Sequence, residues 1–407
     1  MKHNFLFAYL CIFLFSCSQQ KKEIQFAERP KTPVMGWASW NNYRVNINED
    51  IIKQQADAMV DRGMADAGYR YINIDDGYFG GRDSEGNLLV HKERFPGGMK
   101  ALAGYIHSKG LRAGIYTDAG INTCASFWNK DTLGIGMGLF GHEYRDLSLF
   151  LNDWKYDFVK IDWCGGDWLG FDEQIRYTEL GRIIRELRPD AVYNICRWKF
   201  PGKWAVQVAD SWRISEDIAN TFESVMHIVD LNADLWCYSG PGHVNDMDML
   251  QVGRGMTYEE DKTHFTMWCI MNSPLLAGND LTTMSDETLS ILTNEEVIAL
   301  NQDPMVYQAR RLVDHGDHEI WGRPLVSAIS GEVGVVLLNR GEKPAEITLN
   351  LETIGINASE GYKVKDLWKK ETQQNVTKDS LTYTVPVHGV VALKIDGESI
   401  PFNIFQQ

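Results

Sequence analysis

Between Lys31 and Asp303 the chain repeats one pattern: a short apolar run, a polar cluster at its end, then a stretch in which apolar residues recur at helical spacing. The run from Val34 leads into Ser39-Trp40-Asn41-Asn42, Tyr69–Ile74 ends in Asp75-Asp76, and Arg112–Tyr116 ends in Thr117-Asp118-Ala119-Gly120. Phe158–Ile161 ends in Asp162-Trp163-Cys164, and Ala191–Ile195 in Cys196-Arg197-Trp198. Later strand candidates end near Ser215-Glu216-Asp217, Tyr238-Ser239-Gly240-Pro241 and Leu276-Ala277-Gly278. Helical stretches lie between them. One starts after Asn48, which can cap it, and carries Ile51, Ile52, Ala56, Met59 and Val60 on one face. Others are Lys100–Lys109, stopped by Gly110, one beginning at Leu147–Leu151, and Glu173–Leu187. Eight such units in about 270 residues predict a (β/α)8 barrel. A doubly wound sheet is the competing α/β solution, but no glycine-rich phosphate loop follows the first strand. A barrel carries its site at the C-terminal ends of its strands, where the polar residues cluster here.

Past Asn301-Gln302-Asp303-Pro304 the texture changes to short β-rich runs separated by turn residues, such as Gly334-Val335-Val336-Leu337-Leu338 and Val390-Val391-Ala392-Leu393. These predict an antiparallel β-sandwich over 304–407, after a barrel over 31–303. At the other end, Lys2 and His3 precede an apolar run from Phe5 to Phe15, too short for a membrane span. Ser16-Cys17 and a polar stretch follow. This is the pattern of a lipoprotein signal over 1–17, with Cys17 lipidated as the first mature residue and 18–30 as a tether. The expectation is an exported bacterial lipoprotein, anchored by that lipid and facing the periplasm or the exterior.

A net charge of -15 argues against nucleic acid as a partner, because phosphate binding needs a basic face. No protein partner is evident. The 13 Trp, 16 Tyr and 17 Phe suit both a core and the apolar faces of sugars. Beyond Cys11 and Cys17 in the signal, five cysteines remain, an odd number that leaves at least one free thiol. No Cys/His spacing suggests zinc.

Alternation in a strand puts Lys160 and Asp162 on one face and Val159 and Ile161 on the other. A lysine and an aspartate on one face of an apolar strand read either as a buried structural ion pair or as a nucleophilic carboxylate held ionised by an ammonium. Arg213-Ile214-Ser215-Glu216-Asp217 offers a second carboxylate, or only a solvated acidic turn. Asp75-Asp76 suits hydrogen bonds to sugar hydroxyls better than a metal, since no His or further Asp is near in sequence. Asn245-Asp246-Met247-Asp248-Met249 reads equally as a site element or as a capped glycine-rich loop.

Taken together, Met35-Gly36-Trp37-Ala38-Ser39-Trp40-Asn41, Asn73-Ile74-Asp75-Asp76, Gly114–Gly120, Lys160-Ile161-Asp162, Asn245–Leu250 and Asn301-Gln302-Asp303 resemble glycoside hydrolase family 27, the α-galactosidase and α-N-acetylgalactosaminidase family. The resemblance implies a (β/α)8 barrel, no metal or other cofactor, and hydrolysis of a galactose-containing glycan with retention. It implies Asp162 as nucleophile and Asp217 as acid/base, with Glu216 a neighbour. Trp37, Asp75, Asp76, Tyr116, Lys160, Cys196, Arg197, Trp198, Arg213 and Asp248 would line the sugar site, and Cys124 and Cys164 would be bridged.

Two departures stand out. Arg44 and Gly77 occupy the places of a second disulfide found in many members. Cys196-Arg197-Trp198 replaces the usual Cys-Glu-Trp, and an Arg cannot accept a hydrogen bond from a sugar 2-hydroxyl. Arg197 and Phe200 also do not fit the small residues of the N-acetylgalactosaminidases. Members that prefer β-L-arabinopyranosides can carry Glu at the second position of the Asp-Asp pair. Asp76 leaves that room open and favours galactose, by about 1–3 kcal/mol. The expected activity is an exo-acting α-galactosidase, with β-L-arabinopyranosidase as the alternative and a non-catalytic glycan-binding lipoprotein as the remote one.

Overall fold

The computed structural model describes residues 28–401 and 403–406 of the chain. The expected signal and lipidation site at Cys17, with most of the tether, lie outside these residues.

Eight parallel strands form one sheet: β1 (Met35–Ala38), β2 (Tyr71–Ile74), β3 (Arg112–Asp118), β4 (Phe158–Asp162), β5 (Val192–Ile195), β6 (Ser211–Arg213), β7 (Val244–Asp246) and β8 (Leu275–Ala277). Neighbours in sequence pair in order, and β8 returns to β1. The remaining seam closes beyond β7, where Leu250 bridges Ala277 and its N–H donates to Leu276 O at 2.8 Å. This is the expected TIM barrel.

Helices cover the outside. α1 (Glu49–Asp61) starts as its sequence dictates, with Asn48 accepting from the Ile51 N–H. Ile52, Ala56 and Met59 are fully buried, whereas Val60, assigned to the same face, is exposed. α2 (Met99–Ser108), α3 (Glu143–Ser148), α4 (Glu173–Leu187), α5 (Phe222–Asn232) and α6 (Tyr258–Ile270) follow, with α7 (Asp286–Leu292) and α8 (Glu295–Asn301) after β8. α3 starts earlier than its periodicity suggests and continues to Asp153 as a π-helical turn. After β5 a short 3-10 turn, Lys203–Gln207, takes the place of a helix. The strand expected before Pro241 is instead a 3-10 turn, Trp236–Tyr238, and the seventh strand lies just beyond it at Val244–Asp246.

Inside the barrel, Val34, Ala38, Tyr71, Phe158, Val192, Met249 and Leu276 pack into a small apolar cluster. The opposite faces of the same strands, Val159 and Ile161 among them, join the large core beneath the helices.

The C-terminal part is a six-stranded antiparallel sheet of β9 (Arg310–Asp314), β10 (His318–Pro324), β11 (Glu332–Asn339), β13 (Ile356–Asp366), β14 (Glu371–Val376) and β16 (Val390–Ser399). A two-stranded sheet of β12 (Ala345–Asn350) and β15 (Ser380–Val385) accompanies it. Their inner faces meet through Val335, Leu337, Leu349, Leu393 and Ile395. The sandwich seats on the barrel through the fully buried Arg323, which donates to Leu300 O at 2.9 Å and pairs with Asp303 at 3.3 Å. Among the described residues no helix is long and apolar enough to cross a membrane.

Candidate active site

The strand ends bring six of the expected residues into one charged cluster. On β4, Lys160 reaches Asp75 Oδ2 at 2.9 Å and Asp162 Oδ1 at 3.7 Å. Across the opening, the buried Arg213 at the end of β6 reaches Asp248 Oδ2 at 2.9 Å and Asp217 Oδ1 at 3.1 Å. Two cations therefore serve four carboxylates. A hollow reaching into the barrel from the cluster is walled in part by Asp75, Tyr116, Lys160, Arg213 and Asp248, but not by Asp162 or Asp217. Phe158 and Leu276 also line it and belong to the apolar cluster inside the barrel.

Burial differs sharply between the two carboxylates expected to react. Asp162 is buried, and its Oδ1 has no hydrogen-bond donor. The Asp217 side chain is 53% exposed. Burial pushes Asp162 up to about 7, with the Lys160 ammonium pulling the other way. Burial also acts to raise Asp217, but the attraction of Arg213 and Lys160 outweighs it and holds this carboxyl below the usual range.

The neighbouring loops are fixed from below. The Asp76 side chain accepts from the Gly77 and Ala125 N–H groups at 2.8 and 2.9 Å and is fully buried, which pushes it up to about 7. Asp118 accepts from the Gly120 and Cys164 N–H groups, both at 2.7 Å, and burial raises it to about 8. Cys124 and Cys164 form a disulfide. The Cys124 sulfur lies 3.2 Å from Asp162 Oδ2, so the bridge walls one side of that carboxylate.

Tyr116 lies under Lys160, with the ammonium 5.4 Å from its ring centre, and its hydroxyl accepts from the Cys124 N–H. Trp37 is fully buried and donates to Asn279 O at 2.7 Å. Cys196 is a buried free thiol 3.8 Å from Arg213 Nη1. Asp248 adopts a left-handed conformation, φ 77, at the seam where the barrel closes. Trp198, also left-handed at φ 57, packs against the core.

Arg197 is turned away from this cluster. Its guanidinium bonds to Glu173 at 2.7 Å, reaches Asp167 at 3.3 Å and lies over the Trp163 ring. Glu216 is exposed. Where a second bridge would sit, Arg44 is left-handed, φ 50, with its guanidinium 5.2 Å from the Trp40 ring centre. Gly77 has φ 116, and a Cβ there would meet the Val45 backbone at 3.0 Å.

Three further polar residues line the hollow: Asn73 and Asp246, which fall inside motifs quoted above but received no role of their own, and Asn194, which lies in none of them. Asn194 donates to Ser211 Oγ and Asp246 Oδ2, both at 2.8 Å. Each lies two residues before one that was named (Asp75, Cys196 and Asp248), so strand alternation was the signal that could have found it.

The family model for alpha galactosidase A matches residues 32–303, and that for the alpha galactosidase C-terminal beta sandwich domain matches residues 315–395. Alpha-galactosidase A of Cellvibrio japonicus is 41% identical over 401 residues, covering 93% of this chain and 95% of that protein. The crystal structure of alpha-galactosidase I from Mortierella vinacea superposes with a TM-score of 0.84 at 32% identity, covering 91% of this chain and 98% of that one. A β-L-arabinopyranosidase of the same family, from Geobacillus stearothermophilus, has a TM-score of 0.77 at 26% identity, covering 90% and 96%. With both domains matched in order and the identity sustained along nearly the whole chain, the protein belongs to glycoside hydrolase family 27, the α-galactosidase family.

Proposed function

We propose that the protein is a retaining exo-α-galactosidase in which Asp162 is the nucleophile and Asp217 the acid/base. The observation that carries this reading is the asymmetry of the two carboxylates. One is buried beside an ammonium with a free oxygen, and the other is half exposed and held by Arg213. In the first step Asp162 attacks the anomeric carbon while Asp217 gives its proton to the departing oxygen. In the second, Asp217 takes a proton from water, which displaces Asp162 from the sugar. Both steps invert, so the configuration is retained.

In the free protein burial raises Asp162 to about 7 while Arg213 and Lys160 lower Asp217, so a proton on the pair favours Asp162. Chemistry needs it on Asp217. A sugar seated against the strand-end cluster supplies the change. It covers the exposed Asp217, and desolvation raises that carboxyl. Asp162 is already desolvated, and excluding the remaining water strengthens its attraction to Lys160.

Galactose is favoured because the relatives that match most of the chain are α-galactosidases. Arg197 presents no obstacle to a 2-hydroxyl, because its donors are engaged by Glu173 and Asp167. The test is kcat/KM for the nitrophenyl glycosides of α-D-galactopyranose, β-L-arabinopyranose and α-N-acetylgalactosamine. A lead for the galactoside is expected. A lead for either of the others would overturn the choice of sugar, and no turnover of any would overturn the enzyme.

From Leu14-Phe15-Ser16-Cys17 we further infer a lipid-anchored, exported enzyme. Intact mass of the protein from its own membranes should show a lipid-bearing N-terminal Cys17. A mature chain starting elsewhere would refute this.

A further inference from the structure

We infer that the loops after β3 and β4 carry a platform for sugar units beyond the cleaved bond, built on Trp128 and Trp168, so that the preferred substrate is a glycan longer than a disaccharide. This rests on the glycosidase reading above and specifies its substrate. Trp128 and Trp168 are 79% and 78% exposed, more than any other large apolar side chain among the described residues. Nothing in the core requires them there, and large exposed rings favour association with something. Phe127 meets Trp168 edge to face, at 4.9 Å between centroids and an interplanar angle of 87°. Edge contact steadies the indole and leaves a flat face uncovered. Flat apolar faces suit the C–H faces of pyranose rings.

The position follows from the chain. Phe127 and Trp128 stand on the short helix Cys124–Trp128, whose first residue touches Asp162 through its sulfur. At about 1.5 Å of rise per residue, Trp128 lies about 6 Å along that axis from Cys124, close to the length of one sugar ring. Trp168 belongs to the 3-10 turn Asp167–Leu169, a few residues beyond Asp162 in the same loop as Cys164.

The two loops behave as one piece. The disulfide joins them, and Asp118 accepts from an amide of each. They also touch backbone to backbone, since a Cβ on Gly120 would sit 2.6 Å from Gly165 C. Such a platform is ordered before the ligand arrives, which reduces the entropy lost on binding. Both loops rise from the strand-end side that carries the charged cluster, so the platform and the site share one side of the barrel, and the occupant that suits exposed rings beside a glycosidase site is a glycan.

Trp168→Ala and Trp128→Ala, assayed on nitrophenyl α-galactopyranoside and on a soluble galactomannan, test this. On the polysaccharide kcat/KM is expected to fall roughly five- to tenfold, mainly through KM, as loss of an aromatic contact implies. On the nitrophenyl substrate the change should stay within about twofold, and Trp168→Phe should recover most of the polysaccharide activity. An unchanged polysaccharide rate, or equal loss on both substrates, would overturn the platform. So would an altered sedimentation coefficient in Trp168→Ala, which would assign the face to self-association. Inactivity of the unsubstituted enzyme on both substrates would instead overturn the glycosidase reading.

Discussion

The Lys160 ammonium stands 3.7 Å from Asp162 Oδ1, a buried oxygen to which no group donates a hydrogen bond. The ammonium is closer to Asp75, at 2.9 Å. Asp162 is thus attracted by a charge without being bound to it, and its lone pair stays uncommitted. Burial disfavours the Asp162 anion and the nearby ammonium offsets part of that cost, while Oδ1 stays free to form a bond to carbon.

Removing that charge should move the pH profile upward. The active form holds one proton on the Asp162–Asp217 pair. As pH rises the pair loses it, which gives the basic limb of kcat/KM near the value of about 7 to which burial raises Asp162. As pH falls a second proton is gained only below the ordinary carboxylate range, because Arg213 and Lys160 lower Asp217. Both carboxylates feel Lys160, so Lys160→Met should shift both limbs to higher pH and reduce kcat/KM roughly 10²- to 10³-fold. An unmoved profile would show that Lys160 does not set the ionisation. Since losing one partner of a buried pair costs about 3–5 kcal/mol, the melting curve checks that the variant is folded during the assay.

Asp217→Ala should separate the two chemical steps. With a dinitrophenyl galactoside, whose leaving group needs no proton, the variant should release one equivalent of dinitrophenol in a burst and then stall. Azide, which needs no general base, should restore turnover. On substrates with poor leaving groups kcat should fall roughly 10²- to 10⁴-fold. Full activity on those substrates would remove Asp217 from the mechanism.

Thiol labelling checks the loop unit. In folded, unreduced protein only Cys237 should react among the described cysteines, since Cys196 and Cys269 are buried and Cys124 and Cys164 are bridged. Denaturation without reductant should add Cys196 and Cys269, and reduction the remaining two. The bridge closes a 40-residue separation, worth about 4 kcal/mol of chain entropy. Cys124→Ser/Cys164→Ser should accordingly melt at a lower temperature, and an unchanged melting temperature would contradict that contribution.

The sequence carried much of this because its signals were local. Glu173–Leu187 is helical over the span its periodicity predicts, since Tyr177, Leu180, Ile183 and Ile184 recur on its buried face. Lys160 and Asp162 turn to the barrel mouth because alternation leaves them no other face. Signals failed where geometry replaces pattern. The seventh strand has three residues, all paired with β6, and the seam to β8 closes only at Leu250, past the left-handed Asp248, too little for any periodicity. The helix absent after β5 is likewise replaced by a short 3-10 turn. Arg197 was read as facing the sugar because its partners Glu173 and Asp167 lie in other elements, 24 and 30 residues earlier. Asp76 drew notice as half of an acidic pair, while the two backbone amides that occupy it belong to Gly77 and to the short helix Cys124–Trp128, which no pattern announces.

In the proposed mechanism Asp162 forms a covalent bond to the sugar. A 2-deoxy-2-fluoro galactosyl donor with a good leaving group slows breakdown of such an intermediate and lets it be isolated. After proteolysis, mass spectrometry should find one fluorogalactosyl group on the peptide containing Lys160-Ile161-Asp162, with fragmentation placing it on Asp162 and none forming on Asp162→Asn. A label on another residue, or an unlabelled enzyme that releases its product with inverted configuration, would contradict the account.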